Sequence, residues 1–391
     1  MFMLVVLLLL ILGSVAVLRV IYQKNMHIWL PSFLRAKLNK PKVSGTKHVL
    51  FCFADHFEPM WRTDDINVER RRVDRWCKDY RVMASKHKDS DGCVPKHSFF
   101  YPAEEYRYEH LAKLSALCAE GFGEIEIHLH HDNDTPDNFC QTMREFAHTL
   151  HYEHGALPYC SQSEQIKYAF IHGNWALDNS RSDCMWCGLD NELQLLKETG
   201  CYVDMTLPSA PSETQTRKVN SIYYASNVPG KHKNHDWGVD VQTNVAASGD
   251  LMLIQGPLGF NFKMPGRKGV PHIENGDVRK KLPPIPARVD LWVNSHIHVK
   301  GRPEWIFVKV HTHGTQDDDM ETLLGRARDE MHDYLEQTYN DGENYLLHYV
   351  SAREMYNIAK AAEAGEQGNP NQFRDYELNK PSFRSVAVKE A

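Results

Sequence analysis

Along this chain, short apolar runs alternate with stretches whose apolar residues recur at helical spacing, and the alternation sets in after residue 46. Residues 49–53, 97–101, 124–128, 168–172, 202–207, 251–255 and 306–311 read as strands, several of them apolar on both faces. Residues 111–120 carry the helical period and run into Gly121 and Gly123, a stop signal. Thr135 and Pro136 open the next helix, threonine as N-cap and proline in the first turn, toward His151. A further helix over 191–199 stops at Gly200. Strands alternating with helices predict an α/β domain. Residues 208–250 and 260–287 lack a helical period and are rich in Pro, Gly, Asn and Ser, so they are expected as long surface loops.

The amino terminus follows another pattern. Residues 1–18 carry no charged side chain, and the apolar run continues past Arg19 to Tyr22. At 1.5 Å per residue this reaches roughly 30 Å, the thickness of a bilayer core, and predicts one transmembrane anchor. A cleaved signal peptide would want a positive start and a small-residue cleavage site, and Met1-Phe2-Met3 has no such charge. The expected layout is an anchor over 1–22, a connector over 23–46, a folded domain over 47–362 and, from its low apolar content, a flexible tail over 363–391. Arg19, Lys24, Arg35, Lys37, Lys40, Lys42 and Lys47 follow the anchor, and this bias puts the globular domain on the cytoplasmic side.

Composition narrows the classes. With 391 residues, 42% of them hydrophobic and 25% charged, the chain can bury an enzyme-sized core. A net charge of −6 offers no basic surface for phosphates, which argues against nucleic acid as a partner. Nine cysteines without regular spacing fit a reducing compartment better than a disulfide framework. Cys184 and Cys187 form a lone C-x-x-C with no second pair nearby, which favours a structural or incidental role over a zinc knuckle.

In a parallel sheet or barrel, side chains at the carboxyl ends of strands face the loops where ligands bind. The strand ends here are "FCFADHFEP", with Asp55, His56 and Glu58; "HLHHDND", with His128, His130, His131 and Asp132; "FIHGNWALDNS", with His172, Asn174, Trp175 and Asp178; and "FVKVHTHG", with His311 and His313. Strand alternation puts Glu126, His128 and His130 on one face, and two imidazoles at i and i+2 can share one metal. A carboxylate from a neighbouring strand, with Asp55 chosen, would complete a three-ligand set; if the chain turns helical after His128, Asp132 replaces His130. Gly314 after the late pair suits a close approach of backbone to ligand. Trp61, Tyr101 and Trp175 beside these ends suit sugar rings, and the hydroxyl-rich run 208–216 suits a polar groove or a solvated loop.

The order of elements resembles the polysaccharide deacetylase family, whose first strand ends in T-F-D-D-G, whose third ends in H-[ST]-x-x-H and whose late strand closes on a histidine. "CFADHFE", "EIHLHHDND" and "WIFVKVHTHG" stand at those places, and "YLLHYVSAREM" at 345–355 looks like that family's final strand and helix. The resemblance implies a distorted (β/α) barrel and a hydrolase with a divalent metal ion, zinc being expected, that removes N-acetyl or related groups from a sugar. It implies Asp55, His128 and His130 or Asp132 as metal ligands. It implies His311 as the acid that protonates the leaving amine, with His313 as the alternative. The family's general base falls on Ala54, which leaves His56 or Glu126 to take the proton from water. His172, Asn174, Trp175 and His313 are expected to contact substrate. An anchored domain would suit a polysaccharide or lipid-linked sugar in surface-polysaccharide assembly. A binding protein that has lost its base, or a glycoside hydrolase using Asp55 and Asp178, are the alternatives.

Overall fold

The computed structural model describes residues 2–266 and 269–384. Ten strands form a mixed, mostly parallel sheet: β1 (Lys47–His56), β2 (His97–Pro102), β3 (Gly123–Leu129), β4 (Tyr168–His172), β5 (Cys201–Asp204), β6 (Ile222–Ala225), β7 (Val239–Asp240), β8 (Leu251–Ile254), β9 (Trp305–Thr312) and β10 (Tyr345–Tyr349). The order is β9-β1-β2-β3-β4-β5-β8-β6-β7, with β10 also paired to β1. β1 is central. It pairs with β9 along its length, with β10 over its first half and with β2 over its second. Only β6 and β7 run antiparallel to their neighbours.

The expected barrel does not close. Between the two edges the segment around 297–300 makes isolated bridges only, Gln242 with Lys300 and Ile297 with Phe307. The sheet nevertheless has two buried faces. Phe51, Phe53, Phe99, Ile125, Ile127 and Phe170 pack under the helices on one side. Leu50, Cys52, Ala54, Ala169, Ile171 and Ile254 fill the other. Neighbours along a strand point to opposite faces, so this division fixes the direction of every polar residue at the strand ends.

Helix α1 (Phe2–Gln23) has no buried residue and is long and apolar enough to cross a membrane, properties a signal sequence shares. The connector that follows is not a loose linker: helix α2 (Met26–Leu38) buries Trp29 against Ala210, Val219 and Leu258, with Phe33 and Phe260 beside it. The tail also departs from its expectation up to residue 384. Arg353 and Asn357 donate to the carbonyls of Arg374 and Leu378, and Asn357 accepts from the Leu378 amide. Its low apolar content misled because polar side chains tie it down. The final residues, 385–391, lie outside the described residues.

Candidate metal centre

From Val49 to Ala54, β1 is apolar on both faces, and its last two residues are polar. Ala54 faces the second core, so His56 shares that side, and Asp55 points the other way among the helices. There Asp55 is fully buried, accepting from His97 Nε2 at 2.8 Å and from the Gly314 amide at 2.6 Å. Arg328 faces His97 Nδ1 at 3.3 Å and, as an obligate donor, fixes the tautomer that gives Asp55 its proton-bearing Nε2. Burial pushes the Asp55 carboxyl up to about 8. Asp55 is therefore a clamp on the 313–315 turn, not a ligand beside His128. The close approach at Gly314 is to that clamp: a Cβ there would lie 2.0 Å from Asp55 Oδ2 and 2.7 Å from Trp76.

Glu58 supplies the carboxylate that Asp55 does not. Two residues past the end of β1, it is buried with Oε1 3.2 Å from His128 Nε2 and 3.3 Å from His130 Nε2, and Oε2 3.4 Å from His313 Nδ1. His128 Nδ1 donates to the Ile171 carbonyl at 2.7 Å, so its Nε2 presents a lone pair to a carboxylate oxygen. Two acceptors at that separation require a cation or a proton between them. His56 stacks against His313 at 4.6 Å and crosses His128 at 4.8 Å, and its buried Nδ1 has no partner. Ligand atoms of His56, Glu58 and His128 all lie within 4.8 Å of one another. Burial holds the His56 imidazole well below its ordinary range, in the neutral form a metal needs. Burial opposes ionisation of Glu58 too, but the three imidazoles outweigh it and hold that carboxyl low.

The site opens outward. His130 is about one-third exposed, and its Nδ1 pairs with Glu104 at 2.6 Å; despite burial, Glu104 and Glu58 raise it to about 10. His313 sits between the rings of Trp61 and Trp175, with centroids at 6.3 and 5.8 Å, and it too is raised, burial being outweighed by Glu58. His311 lies one alternation deeper, buried, with its ring 6.4 Å from that of His56 and its Nδ1 unpartnered. His313 rather than His311 therefore stands at the mouth.

Further expectations change. Glu126 shares the face of His128, but it is buried below the site, accepting from the Ala169 amide and the Tyr202 hydroxyl, and cannot reach a water there. Asp132 sits on an exposed turn and accepts from the Trp186 amide. His172 is fully buried against His131 and Glu192 and contacts no open surface. Asn174 is exposed. Asp178 exchanges hydrogen bonds with Glu192 and accepts from Asn234, while Asp55 is bonded to His97 and Gly314. In run 208–216, Ser209, Thr214 and Gln215 are buried and bonded to one another and to nearby backbone, so it forms no open groove.

A cavity of about 450 Å³ lies elsewhere, beside α2, between Phe33, Lys37, Lys218, Trp237, Phe260 and His298. All nine cysteines are free. No family model matches the chain, and no curated protein matches it either.

Proposed function

We propose that the protein is a metal-dependent hydrolase that removes an N-acyl group from a carbohydrate, with His56, Glu58 and His128 holding a divalent ion of the zinc type. The observation that carries this reading is the convergence of those three buried ligands beneath a mouth walled by Trp61, Trp175, His130 and His313. Two neutral imidazoles and a carboxylate are the donor set of hydrolytic zinc sites, which keep a position open for water. When bound, such an ion polarises an acyl carbonyl and lowers the pKa of a water toward ~7.

The protein's own groups do the rest. The Ile171 carbonyl orients His128 through Nδ1, and the Asp55 clamp on the Gly314 amide sets the turn that carries His313. His313, at the mouth, is placed to give a proton to a departing amine. The Glu104 carboxylate beside His130 replaces the carboxylate missing at Ala54 as the group that accepts a proton from water. Indole faces beside polar groups suit a pyranose ring. The apolar helix α1 and the resemblance to polysaccharide deacetylases support a membrane-borne, lipid-linked or polymeric sugar as substrate.

The test is acetate release from an N-acetylated oligosaccharide such as chitotetraose by the full chain in detergent. Release should stop with a chelator and return with zinc. Release that continues in the chelator, or reducing ends in place of acetate, would overturn the reading.

A further inference from the structure

Beyond Leu129 the histidines diverge. His128 and His130 face the open mouth, whereas His131 turns toward the end of β4. Its Nε2 comes to 2.9 Å from His172 Nε2 and 3.2 Å from Glu192 Oε1, and His172 Nε2 lies 3.4 Å from the same oxygen. Only one opposite nitrogen is bonded. His172 Nδ1 bonds the Gly173 carbonyl, whereas His131 Nδ1 lies 3.1 Å from Asp134 Oδ2 and makes no hydrogen bond. Two imidazole nitrogens and a carboxylate oxygen thus converge on one point, as they do at His128 and Glu58.

Sulfur completes this second set. Cys187 Sγ lies 3.3 Å from Glu192 Oε2, and the donor atoms of His131, His172, Cys187 and Glu192 all fall within 4.8 Å of one another. The backbone amides of Asn179 and Leu189 point at the same sulfur, at 3.3 and 3.5 Å, as N–H groups do at metal-bound thiolates. A thiolate, two imidazoles and one carboxylate make a four-donor set that selects zinc over calcium or magnesium. His172, Cys187 and Glu192 are fully buried, and the His131 side chain is 6% exposed, so no position is left for substrate.

The segment these ligands enclose, residues 173–191, has only short turns of helix. Asn174, Trp175, Asp178, Asn179, Cys184 and Trp186 all take φ between 53° and 66°. Such backbone persists only where the surroundings over-determine it. The seam is tight: the Asp134 amide donates to the Cys187 carbonyl at 3.0 Å, and a Cβ on Gly188 would lie 2.5 Å from the Asp134 nitrogen.

We propose that His131, His172, Cys187 and Glu192 form a closed, structural zinc site, separate from the open one, which pins residues 173–191 to β3 and β4 and so sets Trp175 at the mouth. The site stands whether or not the open centre is a hydrolase.

Metal content and cobalt spectra of the full chain in detergent test it. Wild type should carry two equivalents of zinc, and its cobalt form should show sulfur-to-metal charge transfer. The open centre has no sulfur donor, so His56→Ala/His128→Ala should keep that absorption with one equivalent. Cys187→Ser should lose it and keep the other equivalent. A wild-type protein with no sulfur absorption, or absorption that survives in Cys187→Ser, overturns the proposal, and the wild-type measurement decides even if that variant does not fold. One equivalent with sulfur absorption would uphold this site and count against the open one.

Discussion

Two clusters of histidine and glutamate flank the end of β3, starting three residues apart at His128 and His131 and opposite in character. In the open one, His56, Glu58 and His128 meet under a mouth where His130 and His313 remain partly exposed. In the closed one, His172, Cys187 and Glu192 are fully buried and only the edge of His131 reaches the surface. Both use the same device, an imidazole held through Nδ1 so that Nε2 faces a carboxylate. What differs is the fourth partner. A cysteine closes one set, and the other is left open to solvent, which is the distinction between structural and catalytic zinc sites.

The sharpest way to break the comparison is to remove the shared carboxylate of the open site. Glu58→Gln should lower acetate release by at least ~10²-fold, since both metal holding and proton handling depend on that side chain. Its melting midpoint should change little. Cys187→Ser should do the reverse, with a midpoint lower by at least ~5 °C on loss of a metal tie, and a smaller loss of rate through Trp175. Calorimetry and initial rates on the two variants measure the contrast.

Asp55 supplies a third, smaller effect. Asp55→Ala strands the Gly314 amide and His97 Nε2 in a dry interior, at a cost of about 1–3 kcal/mol by urea titration, while metal content stays that of wild type. Loss of one equivalent in this variant would restore Asp55 as a ligand. A further effect lies outside both clusters. Burial lowers His48, His154 and His296 to about 4, aided by His348, Arg384 and His298 respectively. Between pH 4 and 6.5 these three histidines take up protons in the unfolded chain but not in the folded one, so the stability they contribute rises with pH across that window and is lost on acidification. In chelator, the urea midpoint should drop steadily from pH 6.5 to 4.5; a flat midpoint would contradict it.

Much of this was legible in the chain. Thr135 caps its helix by accepting from Asn138, and Gly200 ends the helix Glu192–Thr199 with a φ of 106°. The polar strand ends do gather at one edge. The choice between Asp55 and Glu58 was not legible, because β1 is apolar on both faces and only its pairing shows which side Ala54 takes. An H-x-E pair at a strand end was the available signal for Glu58. The closed cluster was hidden by distance, since His131 meets partners 41 and 61 positions away. The docking of α2 was not legible because Trp29, its one fully buried side chain, shares the helix with Pro31, Arg35 and Lys37, which read as a connector.

Anomalous diffraction at the zinc edge from crystals of the full chain tests the central claim most directly. The account expects one peak bounded by His56, Glu58 and His128, beside a second bounded by His131, His172, Cys187 and Glu192. No density at the first position in zinc-loaded crystals, or a peak at Asp55 in its place, would contradict it.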